Sequence, residues 1–171
     1  VIRPHPQNVK GEIADLNWID SLKSLKSKRV AVDFPILNDS KIPWSMEYED
    51  MLKLYGLIYG SSIVLNSCST ISIDGLNFNK PVIITAFDNE EILPWHISVK
   101  RVMEYEHFNK LINSGSVFKV SNYQELEESI TLLLDNPDIN NTEKFDFIEK
   151  ECFKIDGNST CILIARQTIF C

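Results

Sequence analysis

The chain has 171 residues, 44% of them apolar, and carries 24 acidic against 17 basic side chains for a net charge of −7. That is hydrocarbon enough for a substantial core, and the acidic balance excludes the broad basic surface with which a general nucleic-acid binder neutralises phosphates. No apolar run approaches the roughly 20 residues of a membrane-spanning helix.

Val1-Ile2 reads as a strand that ends in Arg3-Pro4-His5-Pro6. A start inside a strand, without methionine, suggests a piece excised from a longer protein. Ala14 to Leu25 follows, with Leu16, Ile19, Leu22 and Leu25 at helical spacing. The cations Lys23, Lys26, Lys28 and Arg29 cluster where they complement the end of that helix, the alternative being a patch for a membrane surface or another polyanion. A strand is expected over Arg29 to Phe34, then a loop bounded by Pro35 and Pro43, then a helix over Tyr48 to Tyr59 with Met51, Leu54, Tyr55 and Ile58 facing inward.

Ile63 to Leu65 and Pro81 to Thr85 are continuous apolar, β-branched runs, which suits parallel strands buried on both faces. The short helix between them ends at Asn79, because Pro81 discourages helical geometry at Lys80. An acidic connection from Ala86 to His96 leads to a helix at Glu104 to Asn113, stopped by Gly115. After a strand at Val117 to Val120, Asn122 and Glu125 form a capping box for a helix running to Leu134. Thr142 to Glu151 reads as a helix, Asp156-Gly157-Asn158-Ser159 as a turn, and Ser159 to Phe170 as a last helix.

Strands alternating with helices at this spacing predict an α/β fold, a Rossmann-like open parallel sheet with helices on both faces, built as a single domain over residues 1–171. Ligands bind such sheets beyond the carboxyl ends of the strands. That rule gathers the His5 loop, the loop from Phe34 to Trp44, the turn from Ser67 to Thr70 and the loop from Thr85 to Glu91 along one edge.

The turn is the most informative of the four. Ser67, Ser69 and Thr70 place three hydroxyls among backbone N–H groups that a starting helix leaves without partners, and the helix dipole adds positive potential, so the stretch reads as an anion site suited to phosphate. The competing reading is an ordinary Ser/Thr N-cap without a ligand. Asp74, four residues past Thr70 and on the same helix face, can accept hydrogen bonds from sugar hydroxyls. Alternatively it is a carboxylate sitting favourably in an early helical turn.

The remaining chemistry-bearing residues are less informative. Cys68, Cys152, Cys161 and Cys171 show neither CxxC spacing nor an adjacent His pair, so they read as reduced cytosolic thiols rather than metal or redox centres. His107 sits among acids in a helix, His96 lies in a loop beside Trp95, and Trp18 and Trp44 are core or cleft-wall candidates. There is no GxGxxG after the first strand and no glycine-lysine phosphate loop, which argues against dinucleotide dehydrogenases and P-loop NTPases.

Arg3-Pro4-His5-Pro6, the stretch from Ser67 to Asp74, the Lys80-Pro81-Val82-Ile83 strand and the turn Asp156-Gly157-Asn158-Ser159, in that order, resemble the C-terminal nucleotide-binding half of GT-B glycosyltransferases. The resemblance is to the bacterial surface-polysaccharide and CDP-glycerol glycerophosphotransferase-like group in particular. It implies that Ser67, Ser69 and Thr70 contact the donor diphosphate, that Asp74 binds ribose, and that backbone groups between Phe34 and Trp44 hold the base. His5 matches the family's His-Pro position near the leaving group, where a protonated imidazole, with Arg3 in a similar role, would offset charge on the departing diphosphate. Arg3 can equally be a strand residue paired with a carboxylate.

The implied activity is transfer from a nucleotide-diphosphate-activated donor to build a cell-surface polymer, with no cofactor and no metal required by the motifs. Acceptor binding, and often the catalytic base, would lie in an N-terminal domain, so this piece alone should turn over little. A cytoplasmic setting is expected, at the inner face of the membrane if the full-length protein associates peripherally. The alternatives are a nucleotide-sugar 2-epimerase-like isomerase, whose typical Ser-Gly-Gly turn is missing here, and a nucleotide-binding module without chemistry.

Overall fold

The computed structural model describes residues 1–9, 16–39, 42, 45–88 and 93–152. The chain is α/β, and where its sequence suggests one domain it falls into two compact units, Val1–Leu57 and Ile58–Cys171. The expected turn at Asp156 to Ser159, the helix after it, Cys161, Cys171 and Trp44 lie outside the described residues.

In the first unit the two expected strands reduce to one parallel bridge between Ile2 and Val32. Ile2 N donates to Ala31 O at 2.8 Å and Asp33 N to Ile2 O at 2.9 Å. The next rung would need an N–H at residue 4, which is proline, so the ladder stops there. A single 3₁₀ turn (Pro6–Asn8) follows, and then α1 (Trp18–Ser24). The segment after Phe34 folds back on itself: Leu37 bridges Met46 in antiparallel fashion, and Asn38 Nδ2 donates to Ser45 Oγ at 2.9 Å and Met46 O at 3.0 Å.

Helix α2 (Tyr48–Gly60) continues the chain into the second unit. Its inward positions differ from the expected ones. Ile58 is buried, but Met51 and Tyr55 are 36% and 39% exposed, and the carboxylate of Asp50 is buried instead. The reason is electrostatic: Asp50 accepts from Arg3 inside the first unit, which turns the polar residue in and Met51 out.

The second unit holds an open three-stranded parallel sheet of β1 (Val64–Asn66), β2 (Val82–Thr85) and β3 (Phe118–Val120), in that spatial order. Helix α3 (Ile71–Asn77) connects β1 to β2, and α4 (Lys100–Met103) with α5 (Glu106–Asn113) lies between β2 and β3. The helix expected at Glu104 to Asn113 is α5, which starts two residues later, and the short α4 precedes it, separated by Glu104-Tyr105. Helices α6 (Tyr123–Asp135) and α7 (Asn141–Cys152) complete the unit.

Successive strand residues face opposite sides of a sheet, so β2 shows which helix covers which face. A Cβ added to Gly75 of α3 would lie 3.0 Å from Val82 Cγ2 and 3.2 Å from Val64 Cγ2, which puts α3 on the Val64/Val82 face. Ile83 packs on the other face with Val120 and with Leu133, Leu126 and Ile130 of α6. The central strand is thus covered on both sides, and Val82, Ile83 and Ile84 are fully buried.

The local signals for helix ends hold. Asn79 adopts φ 54°, with its N–H donating to Leu76 O and that of Lys80 to Gly75 O, both at 2.9 Å, so α3 closes in a Schellman turn with asparagine at the left-handed position. At α6, Asn122 Oδ1 accepts from Glu125 N at 2.9 Å while Glu125 Oε2 reaches back to Ser121 N at 2.7 Å. Among the described residues no helix is long and apolar enough to cross a membrane.

Candidate functional site

β1 ends at Asn66, and the next four residues turn the chain into α3 at the carboxyl edge of the sheet. Asn66 organises that turn. Its Oδ1 accepts from Ser69 N at 2.9 Å and from Ser72 Oγ at 3.1 Å, and Cys68, inside the loop that the Ser69 bond closes, takes a left-handed conformation with φ 56°. A non-glycine residue in that region is uncommon, and here the Asn66 hydrogen bonds hold it. The Cys68 side chain is buried with Sγ 3.1 Å from Met103 Sδ, and burial pushes its thiol up to about 11 despite the opposing charge of Lys119. It is a structural thiol rather than a nucleophile.

Of the three expected hydroxyls, Ser67 Oγ lies 2.8 Å from Thr85 Oγ1, which joins the carboxyl ends of β1 and β2. Ser69 Oγ and Thr70 Oγ1 make no hydrogen bond among the described residues, and Thr70 does not cap the helix. Nor do the backbone N–H groups of Cys68, Thr70 and Ile71 have partners there. Beneath them Asn66 Nδ2 is buried and unpaired. One turn holds unused hydroxyls, unused amides and an orphan buried donor. Since α3 has only seven residues, its dipole is a minor part of any anion attraction, and these local donors are the larger one.

Asp74 N donates to Thr70 O at 3.4 Å, which fixes the expected one-turn spacing. Its half-buried carboxylate has no partner among the described residues, and burial raises it above the ordinary value. An unpaired carboxylate partly withdrawn from water costs free energy that an arriving donor would offset. The loop after β2 is tied back by Asp88, which accepts from Ser98 Oγ and, at 2.6 Å, from Val99 N.

Arg3 and His5 belong to the first unit. Arg3 donates to Asp33 and Asp50, and Lys53 also donates to Asp33. The side chains of Arg3 and Asp50 are 10% and 0% exposed, so this is the carboxylate-paired state rather than a free cation. Burial alone would raise the Asp33 carboxyl, but Lys53 and Arg3 outweigh it and hold it below the ordinary value. His5 is exposed, and its Nδ1 accepts from Gln7 N at 3.2 Å. That bond uses Nδ1 as an acceptor, and burial lowers the ring below its ordinary value; both favour the neutral ring with Nε2–H over the imidazolium expected from sequence.

His96 and His107 are exposed, and the ring of His107 lies tilted against those of its neighbours, 4.2 Å from Phe108 and 6.0 Å from Tyr105 between ring centres. Among the described residues no group of three His, Cys, Asp or Glu side chains could hold a metal ion. Asn66, and the Thr85 side chain within the loop already placed at this edge, are parts of the candidate site that the sequence did not single out. An asparagine ending a strand before a hydroxyl turn is the signal that could have found the first, since Asx side chains hold such turns. Compared with protein families, characterised proteins and solved structures, the chain matches none of them.

Proposed function

We propose that the second unit binds the diphosphate of a nucleotide-activated donor, and that the chain is the donor-binding domain of a GT-B-type glycosyltransferase or glycerophosphotransferase. The observation that carries the reading is the set of unused donors between Asn66 and Ile71. Ser69 Oγ, Thr70 Oγ1 and the free amides would take phosphate oxygens, Asn66 Nδ2 would gain the acceptor it lacks, and Asp74 would receive the ribose hydroxyls. As the donor bond breaks, charge grows on the departing diphosphate, and donors already in place stabilise it without reorganising. In this reading acceptor and base come from a further domain, and the protein works in the cytoplasm on a cell-surface polymer precursor.

A second reading, a nucleotide-binding module without chemistry, has one observation in its favour. Arg3 is engaged by two carboxylates, and the Gln7 N–H on Nδ1 of His5, together with burial, disfavours the protonated ring, so neither side chain is arranged as a free cation for a leaving group.

Calorimetric titration of the chain with UDP, CDP, GDP and ADP tests the shared part of both readings. One diphosphate should bind, and both Ser69→Ala/Thr70→Ala and Asp74→Ala should weaken it about 10- to 100-fold, since a hydrogen bond to a charged group is worth about 1.5–3 kcal/mol. Equal affinity in the variants, or no binding to the folded chain, rejects the site. Release of the diphosphate from a donor by the full protein with acceptor present separates the transferase from the module.

A further inference from the structure

At the amino end of β2, away from the hydroxyl turn, Lys144 of α7 is 2% exposed. Its Nζ donates to Pro137 O at 3.3 Å and Asn79 O at 3.5 Å, both long, and the third proton of the ammonium has no acceptor among the described residues. Asp138 acts on it through space without forming an ion pair, and burial depresses the amine below its ordinary value. A cation so deeply placed ordinarily comes with a counter-ion.

Beside it is a cleft of about 290 Å³, lined by Leu76, Asn79, Asn141, Phe145 and Ile148 with Lys144 itself. Asn141 spends its Nδ2 on Asp138 at 2.8 Å, while its Oδ1 is buried and receives no hydrogen bond. The cleft therefore combines an ammonium short of an anion, an acceptor short of a donor, and an apolar wall.

We propose that this cleft is a second binding site, for a small organic carboxylate that carries its own hydroxyl. The carboxylate would lie on Lys144 Nζ, the hydroxyl would donate to Asn141 Oδ1, and the hydrocarbon body would cover Leu76, Phe145 and Ile148. Inorganic phosphate would satisfy the charge and leave the wall uncovered. The volume sits at the small end of ligand pockets, which limits the occupant to a few carbons beyond the acid group.

The test is an amide-resonance titration of the isotope-labelled chain with 2-hydroxy-4-methylpentanoate, and with 4-methylpentanoate as the analogue lacking the hydroxyl. The hydroxy acid should shift the Asn79, Asn141 and Phe145 amides saturably, and the analogue should bind at least about tenfold more weakly. Lys144→Met, which keeps the stem and removes the charge, should abolish the effect. If that variant does not fold, Phe145→Glu on the exposed rim should weaken binding about tenfold by repulsion. No saturable shift at those amides in the parent chain, or undiminished binding in the folded variant, overturns the proposal.

Discussion

At the scale of single residues, the candidate site is defined by groups that lack partners. Asp74 shows the trade most clearly. Its folded carboxyl is raised above the ordinary 3.8 by burial, so the folded chain binds that proton more readily than the unfolded chain does. That preference favours the native state fully below the unfolded value and is lost as pH rises through the raised one, leaving a cost at neutral pH. Asp74→Asn should therefore melt on the order of 1–3 °C higher than the parent at pH 7, with the gap closing near pH 3, while binding nucleotide more weakly. Thermal melts at the two pH values check it; a variant less stable at pH 7 would mean that the carboxylate is paired. The three hydroxyls and Asp74 were legible because their spacing alone places them on one turn and one helix face. Asn66 was not, since its orphan Nδ2 appears only once Oδ1 is seen to be committed to Ser69 and Ser72.

At the scale of elements, α3 lies where it does because residue 75 is glycine. A Cβ there meets two valine methyls at 3.0 and 3.2 Å. Gly75→Ala would gain about 1 kcal/mol of helix propensity against about 1–3 kcal/mol for overpacking a close contact. The expected net effect is a loss of about 1 kcal/mol in denaturant unfolding, with a small displacement of the turn that α3 carries; an alanine variant more stable than the parent would show that the valines yield freely. The short-range signals of this region were readable in the residues: the Asn79 terminus, the Asn122/Glu125 capping box and the β-branched runs. What misled was pairing at longer range. The inward stripe of α2 depends on Arg3 finding Asp50, which lies 47 positions away, and the strands at Ile2 and Val32 shrink to one bridge because Pro4 has no N–H to give. Periodicity carries neither fact.

At the scale of the whole molecule, the α/β class and the parallel three-stranded sheet agree with the alternation of strands and helices, while the division into two units has no punctuation in the sequence, since it falls inside the continuous helix α2. The sheet's contribution is placement: its two adjacent carboxyl ends, at Asn66 and Thr85, set Ser67 and Thr85 within 2.8 Å and hold the donor-rich turn at the open edge. The claim on which the account rests is that this turn is a phosphate cradle, and inorganic pyrophosphate carries the part that every such donor shares. Titrated to about 10 mM, enough to load a site with a Kd of about 1 mM, it should shift the amides of Cys68, Thr70 and Ile71 and the side-chain NH₂ of Asn66. If those four resonances stay in place while the chain remains folded, the turn is a closed structural corner and the donor-site reading is wrong.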